Sequence, residues 1–233
     1  SGDNILVAQG TYIYRSNVDW CSLNTNITPA SVICFVDKNL TILGGYSITN
    51  WTTANPLINL TIIDGQNTYR GVNAIGFSNK TTGYIDMEGF TIQNGKAQGP
   101  TGYDTSGIGG GMLVQYLTVT LRNMIFKDNQ AIGQNTTFGA GGQADGAGMR
   151  IESAPGTSSL LQHVVFDNNK SFGGTGLDRG GIAYGALSIF FSSVTIEDAI
   201  FTDNLAQAGS SMGSGISGYL FAHALGGAIS IEN

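Results

Sequence analysis

Phe126-Lys-Asp-Asn-Gln-Ala131 is a phrase that this chain repeats, first as Phe166-Asp-Asn-Asn-Lys-Ser171 and then as Phe201-Thr-Asp-Asn-Leu-Ala206. A looser copy begins at Ile92 and carries Asn94. The four copies begin 34, 40 and 35 residues apart. Internal similarity at this period is typical of proteins built from stacked structural repeats.

Two further phrases alternate with the first one. The first is glycine-rich, and its copies lead into Met112, Met149, Leu187 and Ile229. The second is an alternating apolar segment that follows it, with the copies Val119-Thr120-Leu121, Leu160-Leu161 and Val194-Thr195-Ile196. Their period of two residues and their β-branched side chains indicate strands. One such unit cannot bury its apolar face, whereas units stacked in register form a continuous core.

We therefore predict an all-β fold, a right-handed parallel β-helix of about seven to eight rungs with long Gly-rich loops on one side. The alternative is an open β-sandwich with accidental internal similarity. In a β-sandwich we would expect the turn residues of hairpins roughly every 8–12 residues. The chain lacks turn residues at this spacing.

The repeated phrase also predicts which residues form the structural ladder of the core. The Phe side chains should stack on one another, and the Asn side chains at the third position should turn the chain or hydrogen-bond from rung to rung. The predicted ladder comprises Phe126, Asn129, Phe166, Asn169, Phe201, Asn204 and Asn94.

We expect a single domain over residues 1–233, with shorter rungs and a Cys-bearing inserted loop in 1–83 and longer-period rungs in 84–233. Asn39-Leu40-Thr41-Ile42 and Asn59-Leu60-Thr61-Ile62 are interpreted as two successive short rungs. The long loops leave from one corner of the repeat. They either build a functional face or shield strand ends, and the sequence leaves both interpretations open.

Composition excludes some classes of function. The net charge is −6, and the ten Lys and Arg residues are scattered singly, so the chain lacks the basic stripe of a nucleic-acid-binding protein. No run of about 18 apolar residues is present, which predicts no membrane span. Because Ser1 is not a start methionine, we interpret the sequence as a mature or excised form from which any signal peptide is gone.

Cysteines and sequons point to an extracellular or cell-surface location. Cys21 and Cys34 are predicted to form a local disulfide in an oxidising compartment, with two free buried thiols as the alternative. Asn-x-Ser/Thr occurs seven times, an excess that suits a glycoprotein. The predicted glycosylation sites are Asn26, Asn50, Asn79 and Asn135, together with Asn39 and Asn59 in the repeated strands; the sequon at Asn169 is expected to point inward.

The ends of the stack are predicted to be uncapped, because no capping helix or polar terminal repeat is recognisable at either one. An uncapped repeat presents unpaired backbone and apolar side chains. Either the chain is a fragment, or a neighbouring copy covers each end and builds a head-to-tail filament. The candidates for end-to-end contacts are Ile5, Val7, Ile229 and Ile231.

Acidic and basic residues give little sign of catalysis. Asp128, Asp167 and Asp203 fall close to one repeat position, and paired carboxylates are what glycoside hydrolysis requires. Asp is also an ordinary turn former at that position. The three arginines at 122, 150 and 179 are single and dispersed, unlike the basic site of a polysaccharide lyase. We therefore predict no catalytic residue.

No cofactor or metal is predicted. Two Cys and the distant His163 and His223 do not make up a zinc site. The oxygen-rich turns at Asp167–Asn169 and at Asp203 and Asn204 leave a calcium site as an alternative, although the regular calcium-binding nonapeptide repeat is absent.

The Gly-Gly-Ala-Ile phrase at 226–229 and the Phe-x-x-Asn phrases resemble the repeats of bacterial polymorphic outer-membrane proteins of the autotransporter type. The opening segment Val7-Ala8-Gln9-Gly10-Thr11-Tyr12 resembles the first coil of many secreted β-helix proteins. The resemblance implies a surface location and an adhesive or structural role rather than catalysis.

Together these observations predict a secreted, non-enzymatic structural or adhesive protein of the cell surface or extracellular matrix. Its expected partners are further copies of itself in a head-to-tail homopolymer, or surface glycans and host proteins. The alternative is a β-helix protein that binds polysaccharides or processes them as a lyase or hydrolase.

Overall fold

The computed structural model of the chain describes residues 2–15, 30–76, 83–100, 106–153, 156–213 and 223–232. Every regular element in these residues is a β-strand, and none of them is helical. The strands stack in coils that form a β-solenoid, as the repeats predicted.

The strands of the described residues lie in six stacked layers, here called layers 1 to 6. Layer 1 contains β1 (Asp3–Ala8), β2 (Gly10–Ile13) and β3 (Ser31–Val36). Layer 2 contains β4 (Asn39–Tyr46), β5 (Thr61–Asp64) and β6 (Arg70–Ile75). Layer 3 contains β7 (Tyr84–Glu88), β8 (Phe90–Gln93), β9 (Lys96–Gln98), β10 (Gly107–Ile108) and β11 (Met112–Gln115). Layer 4 contains β12 (Thr118–Lys127), β13 (Gln130–Ile132), β14 (Ala144–Asp145) and β15 (Met149–Glu152). Layer 5 contains β16 (Ser158–Asp167), β17 (Lys170–Phe172), β18 (Ala183–Tyr184) and β19 (Leu187–Phe190). Layer 6 contains β20 (Ser193–Glu197), β21 (Ile200–Thr202), β22 (Leu205–Gln207), β23 (Ala224–Leu225) and β24 (Ile229–Glu232).

The solenoid makes about five turns, so the predicted seven to eight rungs are wrong. The error arose at the two Asn-Leu-Thr-Ile copies, which were interpreted as successive rungs. They belong instead to β4 and β5, two sides of layer 2, because β4 pairs with β7 and β5 pairs with β8 of the next layer. Both strands face the same core, and this common environment selects the same residue types in each.

Four parallel sheets run along the stack. A ten-stranded sheet, here called the broad sheet, contains the first strands of every layer. Two four-stranded sheets, the short sheets, begin in layer 3 with β9 and β10. The six-stranded back sheet has the order β24-β19-β15-β11-β6-β3. Because equivalent strands pair in register, each repeat position becomes a column of side chains along the axis.

The core is made of the inward-facing columns. In β12 the buried and exposed positions alternate, and Phe126 is fully buried at the end of the strand. Phe126 pairs with Phe166, which pairs with Phe201, and successive rings stack at 4.9 Å between centroids. Offset aromatic pairs at this spacing add to the stabilisation that comes from burial.

The corner after the Phe column depends on left-handed backbone one residue earlier than predicted. Asn94, Asp128, Asn168 and Asp203 have φ values of 51° to 54°, a conformation that Asn and Asp tolerate better than most residues. The expectation that the Asn at the third position turns the chain is therefore wrong. Since the second residue makes the turn, the third is free to point into the core.

The long loops between the two short sheets pack through their backbones. Gly174 donates its N–H to the Gly142 carbonyl at 2.8 Å, Gly181 to Gly174 at 2.7 Å and Gly209 to Gly181 at 2.9 Å. A Cβ atom on Gly181 would lie 1.8 Å from the Gly142 oxygen. Only glycine allows this approach, so the glycine content of these loops is explained by backbone contact between layers.

Arg70 closes the edge where the short sheets begin. Its side chain is fully buried, and Nε and Nη2 donate to the carbonyls of Gly109 and Ile108, both at 2.9 Å. Burial lowers the pKa of Arg70 to about 10, so the side chain stays charged at neutral pH. The guanidinium thus satisfies carbonyls beside β10, the first strand of its short sheet.

Candidate functional site

Asn129, Asn169 and Asn204 form a hydrogen-bonded ladder inside the corner. Asn129 Nδ2 donates to Asn169 Oδ1 at 2.9 Å, and Asn169 Nδ2 donates to Asn204 Oδ1 at 3.1 Å. Each Nδ2 also donates to the backbone carbonyl of the first residue of the repeated phrase in the preceding layer, at Ile92, Phe126 and Phe166 respectively. The ladder holds the corner together and exposes no group for chemistry.

Asn94 is not part of this ladder, contrary to the prediction. It is the second residue after Ile92, so it lies in the left-handed turn, and its Nδ2 contacts both carboxylate oxygens of Asp64 at 3.1 and 3.2 Å. Gly95 occupies the ladder position in this layer and donates its N–H to Asn129 Oδ1 at 2.8 Å.

A polar and aromatic cluster, here called the back-sheet patch, lies on the outer columns of the back sheet and the adjoining short sheet. The register places Arg150 next to Ser188 and Ser230 in one column. The neighbouring columns complete the patch, whose members are Asp145, Arg150, Glu152, Tyr184, Ser188, Phe190 and Glu232. The strands bring together residues that are up to about ninety positions apart in the sequence.

Arg150 is the centre of the patch. Its Nη1 contacts Asp145 Oδ2, and its Nη2 lies 3.9 Å from Glu152 Oε2. The guanidinium carbon lies 4.4 Å from the centroid of the Phe190 ring, a cation–π contact. Gln115 Nε2 donates to the same Glu152 oxygen at 3.2 Å. The cation is thus shared between two carboxylates and an aromatic face.

The environment of the patch shifts the pKa of two of its members and of one neighbouring tyrosine. Burial raises the pKa of Asp145 above its ordinary value, and the Arg150 guanidinium acts in the opposite direction. Burial, and then the negative charge of Glu232, raise the pKa of Tyr184. The charge of Glu152, followed by burial, raises the pKa of Tyr116, which lies beside the patch. Both tyrosines therefore keep their hydroxyl protons and remain hydrogen-bond donors.

The raised pKa of Asp145 makes a testable difference to stability. In the unfolded chain the Asp145 carboxyl loses its proton at about pH 3.9. In the folded protein the carboxyl keeps this proton to higher pH. Across that interval the folded state binds more protons, so the free energy of unfolding falls as pH rises. We expect wild type to lose stability relative to Asp145→Asn as the pH rises above about 4, measured by urea unfolding at a series of pH values. A constant difference would contradict this assignment.

Two of the acidic residues considered for glycoside hydrolysis contact neighbouring polar side chains. Asp167 contacts Lys127 at 3.4 Å, and Asp128 Oδ1 accepts a hydrogen bond from Asn168 at 2.5 Å. The arginines interpreted as dispersed are not isolated, since Arg122 contacts Asp86 at 2.8 Å and Arg150 lies in the back-sheet patch. Asp86 and Arg122 are 36 residues apart in sequence, so their pairing depends on the register of β7 and β12.

His163 and the oxygen-rich turns make other contacts. His163 Nε2 lies 3.2 Å from Asp198 Oδ2 on the surface. Asn169 and Asn204 direct their amides into the ladder rather than outward. Within the described residues, no group of three or more His, Cys, Asp or Glu side chains is placed to hold a metal ion.

The structure describes only some of the predicted modification sites. Asn26, Asn79 and Cys21 lie outside the described residues, and Cys34 is half-buried in β3. Asn50 is exposed, and Asn135 and Asn39 each accept a hydrogen bond through Oδ1. Asn59 Nδ2 donates to the Gly45 carbonyl at 3.0 Å. The disulfide and the glycans stay predictions.

The end-contact candidates lie in core columns. Ile5 pairs with Ile42, and Ile231 pairs with Ile189. Val7 and Ile229 are half-buried and pack against the core cluster. These columns continue to the first and last layers, where apolar side chains become exposed.

Comparisons with protein families, with curated proteins and with solved structures found no match to this chain. The described residues contain no helix long and apolar enough to cross a membrane.

The back-sheet patch was not found from sequence. Its signal was present in the glycine-rich phrases: aligning Met112, Met149, Leu187 and Ile229 places Glu152, Phe190 and Glu232 at one repeat position. The alignment gives the column, but only the folded corner shows that Asp145 and Arg150 are in contact.

Proposed function

We propose that this protein is a secreted, non-enzymatic structural or adhesive component of the cell surface or extracellular matrix, and that it assembles head to tail into a filament. The main observation behind the proposal is that both ends of the stack expose apolar side chains of the core columns. Ile231 is 64% exposed in layer 6 although its neighbour Ile189 is 4% exposed, and Ile5 is 42% exposed although Ile42 is 4% exposed.

The core columns carry apolar side chains at both ends. The column that begins with Ile5 ends with Ile196, and the column that begins with Tyr12 ends with Phe201. In the back sheet, the column of Phe35 ends with Ile231. A second copy placed on either end would therefore continue the same core. A non-closing contact of this kind produces a filament.

The edge strands support the same proposal. β3 and β24 are the outer strands of the back sheet, so each presents a row of backbone groups that a parallel strand could pair with. The next coil of a longer chain and a second copy are the two possible occupants of such an edge. We propose the second copy, and the assembly experiment below distinguishes the two.

The surface location rests on the sequence. The sequon excess and the cysteine pair suit an extracellular chain. The repeated phrases resemble those of polymorphic outer-membrane proteins of the autotransporter type, which supports an adhesive or structural role at a surface.

Electron microscopy and sedimentation test the filament. We expect fibres whose axial repeat is about 29 Å, six layers at ~4.8 Å each. Ile229→Lys/Ile231→Lys should block one end, and Ile5→Lys/Tyr12→Lys the other, so that each variant stays a monomer. Mixing the two variants should yield a dimer, because each retains the end that the other needs.

Phe138→Lys is the matched control, since Phe138 is exposed on a loop away from both ends. It should polymerise like wild type. Far-UV circular dichroism shows that each variant keeps its β-structure. Wild type that remains monomeric at high concentration, or fibres formed by the end variants, would contradict head-to-tail assembly.

A second candidate is a carbohydrate-binding or polysaccharide-processing protein. The back-sheet patch favours it, because exposed Phe191 contacts Phe190, whose ring lies against the Arg150 guanidinium. Retardation of wild type in gels containing polysaccharide, lost in Phe191→Ala, would support this candidate. Equal mobility with and without polysaccharide would speak against it.

A further inference from the structure

The loop of residues 47–60 between β4 and β5, here called the apolar loop, exposes several large apolar side chains. Leu57 is 90% exposed, Ile58 75%, Ile48 70% and Trp51 46%. Monomeric proteins scatter exposed apolar residues singly, and a concentration of them marks an interaction site. The apolar loop belongs to layer 2, and Leu60 at its end accepts a hydrogen bond from the N–H of Gly10 in layer 1 at 2.9 Å.

Several polar side chains of the apolar loop form hydrogen bonds within it. Ser47 Oγ accepts hydrogen bonds from the N–H groups of Thr49 and Asn50, at 3.3 and 2.9 Å. Asn50 Oδ1 accepts from the N–H and the hydroxyl of Thr52, at 3.0 and 2.8 Å. These bonds leave apolar side chains as the main groups that the loop offers to a partner.

The loop is also tied to the solenoid. Asn55 donates its N–H to the Gly45 carbonyl at 2.7 Å, and Asn59 Nδ2 donates to the same carbonyl at 3.0 Å. The Trp51 ring stacks on buried Tyr46 with 6.1 Å between centroids. An anchored loop keeps its exposed side chains in place, which lowers the entropic cost of binding.

Charge narrows the class of partner. Residues 39–63 contain no Asp, Glu, Lys or Arg, and the whole chain carries a net charge of −6. An anionic surface would therefore repel the protein. A neutral partner that accepts apolar side chains suits the loop best.

We propose that the apolar loop inserts into the interfacial region of a zwitterionic lipid surface. A protruding loop with aliphatic tips enters the deformable headgroup and acyl boundary, and Trp is the aromatic residue suited to that depth. Backbone groups that are already paired, such as the N–H groups of Asn55 and Asn59, enter this region at lower cost. A sugar is bound mainly through hydrogen bonds, whereas the large exposed side chains of the loop are apolar.

Co-sedimentation with phosphatidylcholine vesicles tests the proposal. The protein is produced without N-glycans, because a glycan on Asn50 would cover the loop. We expect wild type to bind, and Leu57→Ser/Ile58→Ser to lower the partition coefficient by at least roughly tenfold, since both side chains would be withdrawn from lipid. Raising the salt concentration should change binding less than about twofold, because no ion pair is involved.

Trp51 provides an independent signal, a blue shift of fluorescence on vesicle binding that Trp51→Phe lacks. Phe138→Ser is the matched control, as Phe138 is 72% exposed on another loop and its replacement should leave binding unchanged. No vesicle binding by wild type, an equal loss in Phe138→Ser, or binding restricted to anionic vesicles at low salt would overturn the proposal.

Discussion

Replacing Phe166 by Ala should lower the free energy of unfolding by about 3–5 kcal/mol, the range for removal of a buried aromatic ring. Phe166 is fully buried, and its ring stacks on Phe126 and Phe201 at 4.9 Å on either side. The interplanar angles are 8° and 3°, so both faces of the Phe166 ring are in contact with a neighbouring ring that Ala could not reach. Chemical denaturation with linear extrapolation measures the change.

Phe191→Ala is the matched control for this experiment. The same side chain is removed, but Phe191 lies at the surface, so a change below about 1 kcal/mol is expected. If Phe166→Ala were equally mild, the Phe column would not be a continuous packed core.

Replacing Asn169 by Ala should have an effect of similar size, roughly 3–5 kcal/mol. The side chain is fully buried and makes four hydrogen bonds. Oδ1 accepts from the N–H of Asn129 at 3.2 Å and from its Nδ2 at 2.9 Å, while Nδ2 donates to Phe126 O and to Asn204 Oδ1. Each buried polar group left without a partner costs about 1–3 kcal/mol, and Ala removes partners from several of them.

Two variants separate hydrogen bonding from volume. Asn169→Asp keeps the size of the side chain but replaces the amide donor by an oxygen, so it should destabilise the protein as well. Asn168→Gly removes the adjacent outward-facing amide and keeps the left-handed backbone, so it should change stability by less than about 1 kcal/mol. Equal effects at the two positions would show that the ladder does not stabilise the corner.

The repeated phrases were sufficient to predict the class of fold and its core columns. Phe126, Phe166 and Phe201 recur with the same neighbours, and identical units can bury their apolar faces only by stacking. The parallel pairing and the position of the long loops between the short sheets follow from that repetition, because equivalent segments must lie above one another.

Conformation at single positions required the folded chain. The repeat suggested that Asn94 belongs with Asn129, since both are Asn in similar phrases. In the structure Asn94 makes the turn and Gly95 takes the ladder position. Asn is suited both to left-handed backbone and to inward hydrogen bonds, so residue type alone does not distinguish the two roles.

Side-chain periodicity records which face of a strand is buried, but not which strand lies one turn away. This is why Asn39-Leu40-Thr41-Ile42 and Asn59-Leu60-Thr61-Ile62 resemble successive rungs although they are two sides of layer 2. The contact of Arg150 with Asp145 likewise depends on a corner between sheets. Local sequence patterns were thus sufficient to predict stacking and burial. The number of turns and the back-sheet patch depend on strand register and corner geometry, which arise only when the coils pack on one another.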